Sequence, residues 1–362
     1  MGMRHRVAVV KTDRGVEPAV EEAIALLGGI GAFIGPGETV LLKPNLYITK
    51  GPETGATTDM RVVLAAARLL QAQGSHLILG ECPATGSYTR PEIVFEAQHV
   101  RELCRDHGIE LNVLDRDPPV RVEVDGVVKS EFWYPETAVK HPVISFPKLK
   151  THNLTTLTCA VKNLFGLQQG GTKAHHHVSV ANDAEAFSQL LLDIYSGIRG
   201  QVRLNVVDAH VAMEGEGPTA GDPVDLGLII AGADAVAVDL VASAIMGWDP
   251  MDVGTNYLAG VRGLGPRSLD EVEVVGEPIE SVRRRFRKPA IHSDGEMFVR
   301  IRMPIVCDAA RCRACGVCEK VCPGRAITVA EAPAFDMGRC IQCFCCVELC
   351  PHDALKAVRP PD

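Results

Sequence analysis

Eight of the chain's thirteen cysteines obey one spacing rule twice. The first copy is Cys312-x2-Cys315-x2-Cys318-x3-Cys322-Pro323. The second is Cys340-x2-Cys343-x2-Cys346-x3-Cys350-Pro351, each position lying 28 residues after its partner. The same offset relates Asp308 to Asp336, Arg311 to Arg339, Ala326 to Ala354 and Ile327 to Leu355, so the stretch is a tandem repeat that predicts a pseudo-two-fold unit. Three cysteines at two-residue intervals let a tight loop offer thiolates to three corners of an iron–sulfur cubane, while a fourth that opens a short helix points away. A pair of zinc knuckles is the alternative, but four cysteines in this run do not follow zinc spacing.

Over residues 307–362 the chain resembles bacterial two-cluster ferredoxins. The resemblance implies two [4Fe–4S] clusters with interleaved ligands: Cys312, Cys315, Cys318 and Cys350 on one, Cys340, Cys343, Cys346 and Cys322 on the other. Cys307 and Cys345 fall outside the register and read as packing residues, and Gly316 as relief where backbone approaches a cluster. Residues 307–362 carry seven Lys/Arg and seven Asp/Glu, so the formal charge of −8 belongs to the rest of the chain. A neutral module of this kind is expected to dock on its own body.

That acidity, with an aromatic content of only 5%, excludes nucleic acid and anionic membranes as main partners. The start has too short an apolar run for a signal peptide, and the most apolar segment, Leu226 to Gly247, is broken by Asp234 and Asp239. Many cysteines without a signal peptide point to metal ligation in a reducing compartment, here the cytoplasm.

Upstream, apolar runs alternate with helical periodicity. Strands are expected at Arg6–Lys11, Thr39–Leu42, His76–Gly80, Leu111–Leu114, Pro142–Phe146, Val202–Val207 and Leu226–Ile230. Helices are expected at Val16–Leu27, Asp59–Gln73 with Asp59 as N-cap, Arg90–Asp106, Ala184–Ser196 with Asp183 as N-cap, and Ala233–Ile245; Val120–Val128 reads as a hairpin turning at Asp125-Gly126. The expectation is an α/β body, residues 1–295, with a mostly parallel sheet and helices on both faces. A linker at 296–306 leads to a small α+β ferredoxin-like domain. Neither GxGxxG nor a P-loop is present. The basic stretch Arg283 to Lys288 reads as a solvated helix end.

In parallel sheets ligands gather beyond the carboxyl ends of strands. Four apolar runs release into charged clusters: Lys43-Pro44-Asn45, Glu81-Cys82-Pro83, Lys148-Leu149-Lys150-Thr151-His152, and Asp208-Ala209-His210 followed by Glu214-Gly215-Glu216. Lys162 and Asn163 lie in an otherwise apolar stretch, where a lysine either snorkels to the surface or reaches an anion. Lys43, Lys148, Lys150 and Lys162 are expected to clamp an anion, with Asn45, Glu81 and Asn163 beside it. His152 is expected to donate a proton and Asp208 to orient it or the substrate, while Glu214 and Glu216 could bind a cation or move protons. The run His175-His176-His177 cannot present all three rings to one metal from a helix, and it reads equally as a solvated loop or as supplying one histidine to the site.

At these residues the body resembles an uncharacterised α/β family, a domain of unknown function often fused to a two-cluster ferredoxin. The shared signatures are Lys43-Pro44-Asn45, Lys150-Thr151-His152, Lys162-Asn163-Leu164-Phe165-Gly166, Glu214-Gly215-Glu216-Gly217-Pro218 and Asp234-Ala235-Val236-Ala237-Val238-Asp239. Three functions fit. In the leading one, an oxidoreductase, the clusters exchange electrons between an external redox protein and an anionic small molecule in the body. The others are a non-catalytic electron-transfer or assembly protein, and a non-redox enzyme with structural or sensing clusters.

Overall fold

The computed structural model describes residues 5–83, 90–181, 183–292, 296–298 and 302–358. Twelve strands build the body: β1 (His5–Lys11), β2 (Thr39–Pro44), β3 (His76–Glu81), β4 (Glu110–Val113), β5 (Pro119–Glu123), β6 (Glu131–Pro135), β7 (Val143–Phe146), β8 (Lys148–His152), β9 (Thr156–Thr158), β10 (Val202–Glu214), β11 (Asp222–Gly232) and β12 (Val272–Gly276). Ten of them form one sheet in the order β12-β1-β11-β10-β7-β2-β3-β4, with β8 attached to the far half of β10 and β9 to β8. Pairing is parallel from β10 through β7, β2 and β3 to β4, and also between β1 and β12. β11 alone runs antiparallel to both neighbours, β1 and β10.

Side chains alternate between two cores, which is why both faces need cover. Val7, Val9 and Leu41 pack on one side; Ala8, Val10, Val40 and Leu42 pack on the other. The helices Val16–Leu26 and Met60–Ala72 close the second side, and Ala184–Ile198 and Ala235–Ile245 close the first. Asp59 and Asp183 cap their helices as expected, their carboxylates accepting the Arg61 and Ala186 N–H groups.

Several expectations need correction. β10 does not end at Val207 but continues through Asp208 and His210 to Glu214. Lys148–His152 is a strand, not a loop. The helix expected over Arg90–Asp106 breaks at His99, whose φ of 52° divides Glu92–Ala97 from Val100–Asp106. The β5–β6 hairpin turns over a longer loop than Asp125-Gly126, gripped by Asp193, which accepts the N–H groups of Val127, Val128 and Lys129. The basic stretch follows the end of the helix Ile279–Val282 with its arginines exposed, as expected, and it also straps the body: Arg284 donates to Asp225 O, Arg287 pairs with Glu214 and Asp222, and Lys288 lies over Trp248.

The tail repeats its backbone as well as its sequence. Residues with left-handed φ recur at the 28-residue offset: Ala314 and Gln342, Gly316 and Phe344, Arg325 and Asp353. Gly316 has a left-handed φ of 74°, and Phe344 at the equivalent position adopts the same conformation at 58°. The repeat interlocks, because Ile305–Cys307 pairs with Leu355–Ala357 across the whole domain while Ile327–Val329 pairs with Pro333–Phe335. Met303 and Ile305, placed by the sequence in the linker, pack in the tail core; residues 299–301 of that linker lie outside the described residues. The same core touches Leu154 of the body, and Lys50 pairs with Asp353 at 2.5 Å, so the tail is docked. Among the described residues no helix is long and apolar enough to cross a membrane.

Candidate functional site

A buried ion pair forms the floor of the site. Lys43, wholly buried at the end of β2, donates to Glu81 Oε2 at 2.7 Å, to Pro44 O at 2.9 Å and to Asn163 Oδ1 at 3.2 Å, which uses all three of its protons. Burial lowers the Lys43 pKa, and Glu81 opposes that shift. Glu81, at the end of β3, also accepts the N–H groups of Leu46 and Cys82. Asn163 completes the lattice through Asn45 Nδ2 at 3.1 Å and Ser145 Oγ at 2.9 Å. These side chains fix three strand ends to the short helix Ala160–Asn163. Asp239 holds the start of that helix, accepting the Ala160 and Val161 N–H groups at 2.6 and 3.1 Å.

Above this floor lies a cavity of about 80 Å³. The body lines it with Asn45, Tyr47, Lys150, Thr158, Lys162 and His177; the tail closes it with Cys345, Glu348 and Leu349. Lys150 donates to Asn45 Oδ1 and Ala56 O and sits 4.0 Å over the Tyr47 ring. Lys162 has no hydrogen bond or ion pair among the described residues; its ammonium lies 5.4 Å from the Phe165 ring centre. Burial drives the pKa of both lysines down, far down for Lys150, with Glu348 the main pull back toward charge on Lys162. The Glu348 carboxyl is pushed up by burial, against the pull of Lys162 and Lys150.

His152 is buried at the rim. Its Nδ1 accepts the Leu154 N–H at 3.0 Å, so Nε2 carries the proton and faces Glu348 Oε1 at 3.5 Å. Burial, with Lys162 and Lys150 nearby, holds its pKa well below the usual value and keeps the ring neutral. Of the three histidines on the helix Thr172–Ser179, His175 is exposed, His176 packs between Phe132 and Phe165, and His177 lines the cavity, stacked on Phe187 at 4.7 Å.

The structure therefore gathers Asn45, Glu81, Lys150, Lys162 and Asn163 around the cavity and leaves the other expected residues elsewhere. Lys43 is spent beneath the floor. Lys148 pairs at 2.8 Å with Asp208, which also accepts the Asp59 and His210 N–H groups, so Asp208 orients a lysine and a helix start, not His152. Glu214 accepts the Arg287 N–H and Glu216 the Ala290 N–H; both tie down the strap. Tyr47, Thr158, Lys173 and Glu348 carry no spacing pattern that marks them, and Glu348 reaches the cavity only because the tail docks there.

In the tail the eight cysteines surround two separate cavities: Cys312, Cys315, Cys318 and Cys350 border one, and Cys322, Cys340, Cys343 and Cys346 the other. Three backbone N–H groups point at their sulfurs, from Ala314 to Cys312, Ala326 to Cys322 and Ala354 to Cys350, at 3.2–3.4 Å. Such donors suit sulfurs that carry negative charge. Among the described residues no three His, Cys, Asp or Glu side chains converge on a single metal ion.

An α/β body with an iron–sulfur tail docked over its strand-end cavity defines the class of protein. Residues 40–244 match the domain of unknown function DUF362, and residues 311–354 match a 4Fe-4S dicluster domain. The thylakoid-associated protein sll1697 of Synechocystis sp. is 32% identical over 272 residues, which is 73% of this chain and 80% of that protein. The chain belongs to the DUF362 family.

Proposed function

We propose that this protein is an oxidoreductase whose tail holds two [4Fe–4S] clusters and exchanges electrons with a small anion bound between tail and body. One observation carries the reading: Cys345, Glu348 and Leu349 of the tail line the same cavity as Lys150, Lys162 and His177 of the body. Each cysteine quartet named above would hold one cluster, and the clusters supply single electrons. Cys346 of the second quartet shares the helix Cys345–Glu348 with the cavity wall, whereas Cys315 of the first is exposed, where an external redox protein can approach. Lys162 binds the anion with its free ammonium protons, Lys150 adds a partly spent one, and the Lys43–Glu81–Asn163 lattice keeps both in place. His152, neutral and protonated at Nε2, steers Glu348 instead of acting as an imidazolium acid. Cluster ligation of this kind belongs in a reducing compartment, which we take to be the cytoplasm.

Anaerobically prepared protein should contain about eight irons per chain. After reduction with dithionite and removal of the excess, the protein is mixed with a panel of small carboxylates and phosphates while the visible cluster absorbance is followed. Reoxidation by one anion, slowed in Lys162→Met at unchanged iron content, is the expected result. Zinc in place of iron, or reoxidation indifferent to Lys162, overturns the proposal.

A further inference from the structure

Among the described residues two buried polar atoms on the wall of the body cavity, Thr158 Oγ1 and His177 Nδ1, have no hydrogen-bond partner, and Glu348 Oε1 has only His152 Nε2 beside it, at 3.5 Å. Each such atom costs about 1–3 kcal/mol unless something satisfies it. Such atoms on one void, beside a lysine that has no hydrogen bond or ion pair among the described residues, mark a built site for a ligand.

The charges set the class of that ligand. Lys150, Lys162 and Lys173 face the cavity; Glu81 is spent on Lys43, which leaves Glu348 as the opposing carboxylate. The surplus is two positive charges at most, and burial weakens the charge on Lys150 and Lys162. One negative charge on the ligand is enough. A phosphate dianion would need the whole of that surplus, which burial reduces, and would set a second negative charge against Glu348. Phe165, Tyr47, Pro218 and Leu349 offer apolar surface, so carbon rather than a bare ion belongs there. The volume of about 80 Å³ is that of roughly half a dozen waters, which limits the ligand to a few heavy atoms.

We infer that the cavity takes a compact organic monocarboxylate, with its carboxylate on Lys162 and a second hydrogen-bonding group against Thr158 and His177. The inference rests on the proposed function for identifying this cavity as the working site.

Calorimetric titration of the oxidised, cluster-loaded full chain under nitrogen tests it, with acetate, glycolate, glycolamide and inorganic phosphate as probes. Glycolate should bind, more tightly than acetate; glycolamide, which lacks the charge, should not. Lys162→Met should weaken glycolate by about tenfold or more, the worth of one charge-assisted hydrogen bond. Thr158→Val, which keeps the shape, should narrow the gap between glycolate and acetate. Binding of neither carboxylate, tighter binding of phosphate, or an unchanged glycolate affinity in Lys162→Met overturns the inference. The clusters stay oxidised throughout and their visible spectrum is checked, so failure here leaves the redox proposal standing. Absence of turnover-linked reoxidation, conversely, leaves a measured affinity intact.

Discussion

Gly166 shows how closely the floor of the site is built. A Cβ there would lie 2.5 Å from Glu81 Oε1 and 2.6 Å from Lys43 Nζ. The free end of a flexible side chain could yield, but these two ends hold each other inside the protein and cannot move without parting. Gly166→Ala should therefore lower the melting temperature, whereas Gly171→Ala, where nothing lies within 4 Å of the new Cβ, should not. The pair itself gives a sharper test. Lys43→Met strands the Glu81 carboxylate in the interior, a loss of about 3–5 kcal/mol. Adding Glu81→Gln removes the stranded charge and should recover part of that loss. Melting curves followed by circular dichroism separate the three proteins; a single Lys43→Met variant as stable as the parent would show that the pair does not hold the floor.

Elements, not single residues, place Lys162. The helix Ala160–Asn163 is only four residues long, too short to stand alone, and its first N–H groups are satisfied by Asp239 from the long helix Ala235–Ile245. Asp239→Ala removes both acceptors, at about 1–3 kcal/mol each. It should weaken glycolate binding while iron content stays constant; full affinity in that variant would mean that packing alone sets the helix. The two aspartates of the Asp234-to-Asp239 signature were visible in the sequence, but their separate jobs were not, because Asp234 caps its own helix and Asp239 caps another. The alternation of strands and helices was legible from periodicity, since apolar runs of β1, β2, β3 and β7 are buried on both faces. β10 was legible only halfway. Asp208 and His210 interrupt its apolar pattern, and what lets them lie in a strand is pairing with Lys148 and with Thr12, from distant parts of the chain. β8 was hidden for the same reason: its two lysines read as loop residues until their partners are known.

At the scale of the molecule, the cavity was the least legible feature, because its walls come from residues about three hundred positions apart, Asn45 and Leu349 among them. Only the neutrality of the tail hinted at docking. The whole chain also titrates as a balance of opposed groups, and this can be separated by experiment. Burial lowers His176 to about 4, His177 to about 3 and His292 to about 4, while it raises Asp239 to about 7. Below the unfolded histidine value of about 6.5 the unfolded chain takes up protons that the folded rings refuse, so each histidine costs stability as pH falls, about 1.4 kcal/mol per unit. Asp239 works the other way. Between about pH 4 and 7 the folded carboxyl keeps a proton that the unfolded one gives up, so its contribution is lost as pH rises. Parent stability should thus change less between pH 7.5 and 5.5 than either set alone would dictate. His176→Phe, which places an aromatic ring between Phe132 and Phe165, forfeits the hydrogen bond to Gln168 at every pH but removes one acid-side loss. Its stability relative to the parent should rise by about 1.4 kcal/mol on going from pH 7.5 to 5.5. Asp239→Asn should shift in the opposite direction, because the parent's raised Asp239 carboxyl is most costly where pH is high and the variant no longer feels that cost. Relative to the parent, Asp239→Asn therefore gains as pH rises and His176→Phe gains as pH falls, and denaturant titrations at the two pH values that show the same sign for both variants would rule out buried, opposed titrations as the source of the pH response.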